Sequence, residues 1–197
     1  MSLTKVRVMR SIIIMLLVFL GLLAGRTAQA SDQDPWKIWS KPGVHALMRH
    51  AIAPGTGDPA AFKLDDCSTQ RNINDVGKAQ ARATGALIRD QGIRIDTVLT
   101  SQWCRCLETA ELLNLGPVIE EPSLNSFFRN PNTESRQTQQ VLERLRNLPK
   151  DSKAILITHQ VNITALTGIF PRSGEIILIK VTDDADITIL SRLMPDT

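Results

Sequence analysis

From residue 44 onward the chain alternates two kinds of hydrophobic pattern. Short unbroken apolar runs at 44–48, 97–100, 117–119 and 154–158 have the length expected of buried strands. Between them lie longer segments whose apolar residues recur at helical spacing. Over 75–91, Val76, Ala79, Ala83, Ala86 and Leu87 recur in this way, with Asn74 placed to cap the start and Gly92 the end. Helices are also predicted over 105–115, stopped by Gly116-Pro117, over 133–148, with Val141, Leu142, Leu145 and Leu148 as the apolar face, and over 161–168. The segments 175–181 and 187–193 read as two strands joined by the turn-rich Thr182-Asp183-Asp184. This alternation predicts an α/β fold in three layers, a mostly parallel central sheet with helices on both faces and room for an antiparallel edge.

A length of 197 residues suits one domain, expected over 43–197 after a proline-containing lead-in at 31–42. Residues 1–30 have the layout of a secretory signal: Lys5, Arg7 and Arg10, an apolar run from Ser11 to Gly25, and the small-residue site Ala28-Gln29-Ala30. That run is short against the about 20 apolar residues that span a bilayer, so cleavage is expected and no stable membrane insertion after it. The mature chain would begin near Ser31 and be periplasmic or secreted. Removing the leader takes four basic residues and no acid, and the formal charge falls from +3 to −1. A near-neutral domain offers no concentrated basic face for nucleic acid.

With no tyrosine and 4% aromatic residues, the core should be aliphatic. Three cysteines, Cys67, Cys104 and Cys106, allow one disulfide in an oxidising compartment, pairing Cys67 with either of the others. The single residue between Cys104 and Cys106 does not match the two-to-four-residue spacing of a zinc knuckle, and no metal is expected.

Three predicted strands end in reactive residues: Leu47-Met48-Arg49-His50, Thr100-Ser101-Gln102-Trp103-Cys104-Arg105 and Ile157-Thr158-His159-Gln160. Ligands of open α/β sheets bind at the carboxyl ends of the strands, so all three should meet in one crevice. Each histidine or arginine alone has an ordinary structural explanation. Two of each converging on one sheet edge is what points to a site.

On these residues the chain resembles the histidine phosphatase superfamily, also called phosphoglycerate mutase-like, from about Val44 to Thr167. The likeness rests on Arg49-His50, followed by Ala51 where many members have glycine, on Gly77-Lys78-Ala79-Gln80-Ala81, on the segment SQWCRCLETA with Arg105, and on LITHQVNITALTG with His159. The resemblance implies a metal-free, cofactor-free phosphatase. In it His50 attacks phosphorus to form a phosphohistidine that water cleaves, while Arg49, Arg105 and His159 bind and stabilise the phosphoryl oxygens. Arg71 is similar to an arginine that often precedes the first helix of the family; pairing with Asp65 or Asp66 is its expected role, with facing the substrate as the alternative.

The general acid that protonates an ester leaving group has no clear counterpart here. The mutase-type glutamate after the third strand is replaced by the stretch Pro122 to Phe128, and Gln160 stands where the acid-phosphatase branch places aspartate. Asp58, Glu120 and Glu121 are the candidates. The loop from Ala53 to Pro59 lacks the Walker pattern and reads as a rim loop. The expected substrate is a small phosphorylated metabolite or a cell-envelope sugar phosphate. A phosphohistidine phosphatase and a non-catalytic phosphate-binding module are the alternatives.

Overall fold

The computed structural model describes residues 34–182, 184 and 186–195. The expected leader at 1–30, the first three residues of the lead-in and Asp183 of the terminal turn lie outside the described residues.

The apolar runs form one six-stranded sheet: β1 (His45–Arg49), β2 (Thr97–Thr100), β3 (Val118–Glu120), β4 (Ala154–Thr158), β5 (Ile176–Val181) and β6 (Ile187–Leu193). Their order is β3-β2-β4-β1-β5-β6. The first four strands run parallel, and β5 is antiparallel to both β1 and β6. Helices α1 (Pro35–Trp39), α2 (Asp75–Asp90), α3 (Cys104–Leu113), α4 (Glu134–Arg146) and α5 (Gln160–Thr167) complete the layers.

Strand alternation divides the core in two. Ala46, Met48, Ile155, Ile157, Ile176 and Leu178 pack with Trp39, Ile88 and Leu113 from α1, α2 and α3. Leu47, Leu99, Leu156, Ile177 and Ile179 pack with Val141 of α4 and Ile163 of α5. The expected three-layer, mostly parallel fold is therefore present, with β5 and β6 as its antiparallel edge.

Three local differences have physical causes. The lead-in contains α1, started by the Asp34 carboxylate accepting from Trp36 N–H (3.0 Å) and by Pro35 in the first turn, and it delivers the fully buried Trp39 to the core. Helix α3 ends at Leu113, short of the expected 115, because Asn114 turns left-handed (φ 50°). Of the two cysteine pairings left open, Cys67–Cys104 forms, since Cys104 opens α3 toward the loop that follows β1, whereas Cys106 faces the core.

Helix α2 fixes the segment behind His50. Asn74 Oδ1 accepts from Gly77 N–H (2.9 Å), and Gln80 Oε1 accepts from Ile52 N–H (3.1 Å). Gly77 is there because the Ile52 backbone lies against it; a β-carbon would drive into the Ile52 carbonyl. Gly77→Ala should therefore destabilise the fold by about 2 kcal/mol and slow any reaction at His50, as read from denaturant midpoints and turnover.

His45 sits at the opposite end of β1, buried, its Nδ1 accepting from Ala154 N–H (3.1 Å). Burial, with Lys153 adding to it, lowers its pKa to about 4. The unfolded chain, with an ordinary histidine value of about 6.5, takes up the proton first, so this contribution is complete above pH 6.5 and lost on acidification toward pH 4. About 2 kcal/mol should be gone by pH 5. His50 and His159 shift in the same direction and add to the effect. Unfolding free energies at pH 7 and pH 5 measure it, and His45→Gln should shrink the difference by the His45 share of about 2 kcal/mol.

Candidate active site

Strands β1, β2 and β4 end in register, with Met48 and Thr100 both opposite Ile157. Pairing continues one step further: His50 N–H donates to Thr158 O and Ser101 N–H to Ile157 O, both at 3.0 Å. The carboxyl edge thus sets His50, Ser101 and His159 side by side, with the two imidazole centroids 5.6 Å apart. A cleft of about 360 Å³ opens here, lined by Arg49, His50, Asp58, Arg71, Arg105 and His159 among others. The four sequence-expected residues are brought together.

His50 is 2% exposed, and its Nδ1 lies 2.8 Å from the Ala51 carbonyl oxygen. A carbonyl only accepts, so Nδ1 carries the proton and Nε2 keeps a lone pair. Burial and the Arg105 charge push its pKa well below the usual histidine value. A buried imidazole that is neutral, with its tautomer fixed by the backbone, is what a nucleophilic nitrogen requires.

His159 does something other than expected. Its Nδ1 is 3.3 Å from Arg105 Nη2, and a guanidinium only donates, so Nδ1 accepts. Nε2–H is left to donate to Ser101 Oγ (2.8 Å), which itself donates to Asn125 Oδ1 (3.2 Å). In this state His159 positions Arg105; both ring nitrogens are engaged, and no free donor faces a phosphoryl group.

Arg105 is 3% exposed and already well bonded. Nη1 donates to Asp58 Oδ1 (2.7 Å) and Arg71 O (3.3 Å), and Nη2 to Asp58 Oδ2 (3.2 Å) as well as to His159. Arg49 Nη1 donates to Pro171 O (2.9 Å). The Nε of each arginine is buried without a partner, a state rare in folded proteins. Arg71 does not pair with Asp65 or Asp66: it donates to Gly57 O (2.7 Å) and Ala53 O (2.6 Å), tying down the loop between Ala53 and Asp58. Burial and Arg105 lower the pKa of Arg49 and Arg71 without discharging groups so basic. Three guanidinium charges face one carboxylate beside two neutral imidazoles, an excess suited to a dianion.

That carboxylate is Asp58, and its loop is part of the site and not only its rim. Asp58 also accepts from Trp103 Nε1 and Arg71 N–H, each at 3.1 Å. Burial alone would raise its pKa, but the Arg105 hydrogen bonds and charge outweigh that and hold it below the ordinary carboxylate value. Asp58 therefore has no proton to give in this state. Glu121 is placed elsewhere, accepting from Ser123 N–H and Oγ at the start of the Pro122–Leu124 turn and pairing with Arg144 (3.6 Å). Glu120 accepts from Gln102 (3.1 Å). Neither lines the cleft. Burial pushes the Cys106 thiol up to about 12, so it is not a thiolate nucleophile.

Sequence reasoning assigned no role to Ser101 and Asn125, which hold His159, or to the aromatic residues Phe62, Trp103 and Phe128, which line the cleft. Their signal was scarcity: three of the chain's eight phenylalanines and tryptophans lie in or beside loops that lead to reactive strand ends.

Residues 46–130, which include all of these groups except those after Asn130, match the sequence profile of the histidine phosphatase superfamily (branch 1). Over that stretch the chain is similar to members of the histidine phosphatase superfamily. Its members are phosphatases that act on phosphorylated substrates. No curated protein matches the chain. Its fold is shared with several solved structures of low identity. One is the protein histidine phosphatase SixA complexed with tungstate (16% identity, TM-score 0.52, covering 76% of this chain and 96% of that one). Others are the Entamoeba histolytica phosphoserine phosphatase in complex with 3-phosphoglyceric acid (12%, TM-score 0.56, 78% and 98%) and the Shigella flexneri alpha-ribazole phosphatase (18%, TM-score 0.53, 75% and 94%).

Proposed function

We propose that this chain is an exported, metal-independent phosphatase that hydrolyses a small phosphomonoester through a phosphohistidine on His50. The observation that carries the reading is His50 itself: a buried neutral imidazole, Nδ1–H bonded to Ala51 O, with Nε2 free beside three arginines. In-line attack by Nε2 forms the N–P bond as the P–O bond to the leaving group breaks. Arg49, Arg71 and Arg105 offset the charge on the non-bridging oxygens throughout, in a cleft whose floor is shielded from water. The incoming phosphoryl group competes with Asp58 for Arg105. A metabolite or an envelope sugar phosphate is the substrate class, and a periplasmic or secreted setting is supported by the leader pattern and by the Cys67–Cys104 disulfide.

Two measurements test this together. Brief reaction with an aryl phosphate followed by acid-labile phosphate mapping should place the modification on His50, and turnover should survive a strong chelator. A phosphorylated residue other than His50, or loss of turnover on chelation that zinc or magnesium restores, sinks the proposal.

That the described residues lining the cleft offer no proton donor favours one second reading. A phosphoramidate needs little help to leave, so phosphohistidine would suit the site, and the tungstate-complexed neighbour is a protein histidine phosphatase. Faster hydrolysis of a phosphohistidine peptide than of any small phosphate ester would establish that reading over the first.

A further inference from the structure

The cleft changes character from floor to mouth. At its floor His50, Arg105 and His159 are each no more than 3% exposed. Toward solvent it is walled by Phe62 and Trp103, half-buried, and by Phe128, 59% exposed. Trp103 stacks on Phe62 with centroids 5.0 Å apart and 20° between planes, and meets His159 edge-on at 5.4 Å. One indole thus borders both the phosphoryl centre and the aromatic wall, held by its hydrogen bond to Asp58. Phe128 at the mouth, beside Arg129 and Asn130, is a large apolar side chain left largely uncovered.

Alongside this wall, the described lining residues supply no acid for a leaving group: Asp58 is ion-paired and Gln160 is an amide. An alkoxide expelled here would have to leave without a proton, which is slow. A phenolate leaves readily as the anion.

We infer that the natural substrate carries its phosphoryl group on a planar aromatic ring, an aryl phosphate, and that Phe62, Trp103 and Phe128 receive the ring. The inference rests on the phosphatase reading above and narrows it, away from sugar phosphates. Flat rings gain offset-stacked and edge-to-face contacts with such a wall that a polyol cannot match. In the first step His50 Nε2 bonds to phosphorus and the P–O(aryl) electron pair leaves on the phenolate oxygen. In the second, water bonds to phosphorus, the N–P pair returns to Nε2, and dihydrogen phosphate departs; its surplus proton goes to the phenolate in solution. No oxidant, metal or further reactant is needed.

The test uses the whole mature chain with three probes: phenyl phosphate, glycerol phosphate as an alkyl ester, and acetyl phosphate as a non-aromatic substrate with a good leaving group. Phenyl phosphate should exceed glycerol phosphate in kcat/KM by about 100-fold, the difference between expelling a phenolate and an alkoxide without an acid. In Phe128→Ala, and separately in Phe62→Ala, the ratio of kcat/KM on phenyl phosphate to that on acetyl phosphate should fall about tenfold. Phe128 is exposed enough that its variant folds even should Phe62→Ala not. A ratio unmoved in Phe128→Ala, or glycerol phosphate turned over as fast as phenyl phosphate, overturns the inference and leaves the phosphatase reading standing. No turnover of any of the three in the wild-type chain overturns both.

Discussion

His50→Ala should lower phosphatase turnover by about 10⁴-fold or more while leaving the fold in place. The size follows from losing the atom that forms the intermediate, a loss that binding contacts do not replace. The fold should survive because His50 is uncharged and its side chain makes one hydrogen bond, to the adjacent carbonyl; the cost is about 1 to 2 kcal/mol. Circular dichroism and denaturant unfolding check the second half, and steady-state hydrolysis of an aryl phosphate with phosphoenzyme trapping checks the first. His50→Ala that still turns over within tenfold of wild type would remove His50 from the chemistry altogether. The pH profile of the wild-type chain carries the same information: because the His50 pKa lies well below 6.5, kcat/KM should hold on the acid side past the point where an ordinary histidine has protonated.

Arg105→Ala should damage stability and catalysis together. Removing the guanidinium leaves Asp58, whose side chain is 10% exposed, as a desolvated charge without its cation, a change that costs about 3 to 5 kcal/mol. It also takes the hydrogen bond from His159 Nδ1 and one of the three charges that face the phosphoryl oxygens, for a loss of roughly 10²- to 10³-fold in turnover. The two effects separate in a double variant. Arg105→Met with Asp58→Asn no longer buries an unpaired carboxylate, so its unfolding free energy should recover most of the loss while activity stays low. Arg105→Lys should not restore activity either, because one ammonium cannot reach both Asp58 oxygens and His159 at once. Equal recovery of stability and activity in the double variant would show that Arg105 acts only as scaffold.

How much of this was legible beforehand depended on how local the cause was. The strands were readable because burial on both faces makes runs such as Ala154 to Thr158 continuously apolar, and the extent of α2 because its Asn74 cap and Gly92 stop lie in one segment. The buried face of α2, however, runs through Gly77, Ala81, Thr84, Gly85 and Ile88 and not through the expected Val76, Ala79 and Ala83, because close approach to the Ile52 and Leu113 backbones favours small residues there. Five-residue α1 is too short to show a period, and its helicity comes from one cap and a proline. The catalytic edge could be placed from three strand ends that each break into polar residues. What those residues do to one another could not, because the partners are remote: Asp58 meets Arg105 across 47 positions and His159 meets Ser101 across 58. Glu121 looked available for proton transfer only because sequence does not show that its carboxylate caps the Pro122–Leu124 turn. Arg71 looked like an ion-pair partner for Asp65 or Asp66, whereas the carbonyls it binds belong to a loop shaped by Gly55 and Gly57 at positive φ.

The excess of guanidinium over carboxylate at the floor of the cleft does not distinguish what enters from what is left behind. Orthophosphate has the same tetrahedral shape and nearly the same charge as the group being transferred, so the attraction that captures the ester also slows the exit of its inorganic remnant. Such a catalyst is restrained by its own end product and runs fastest where free phosphate is scarce.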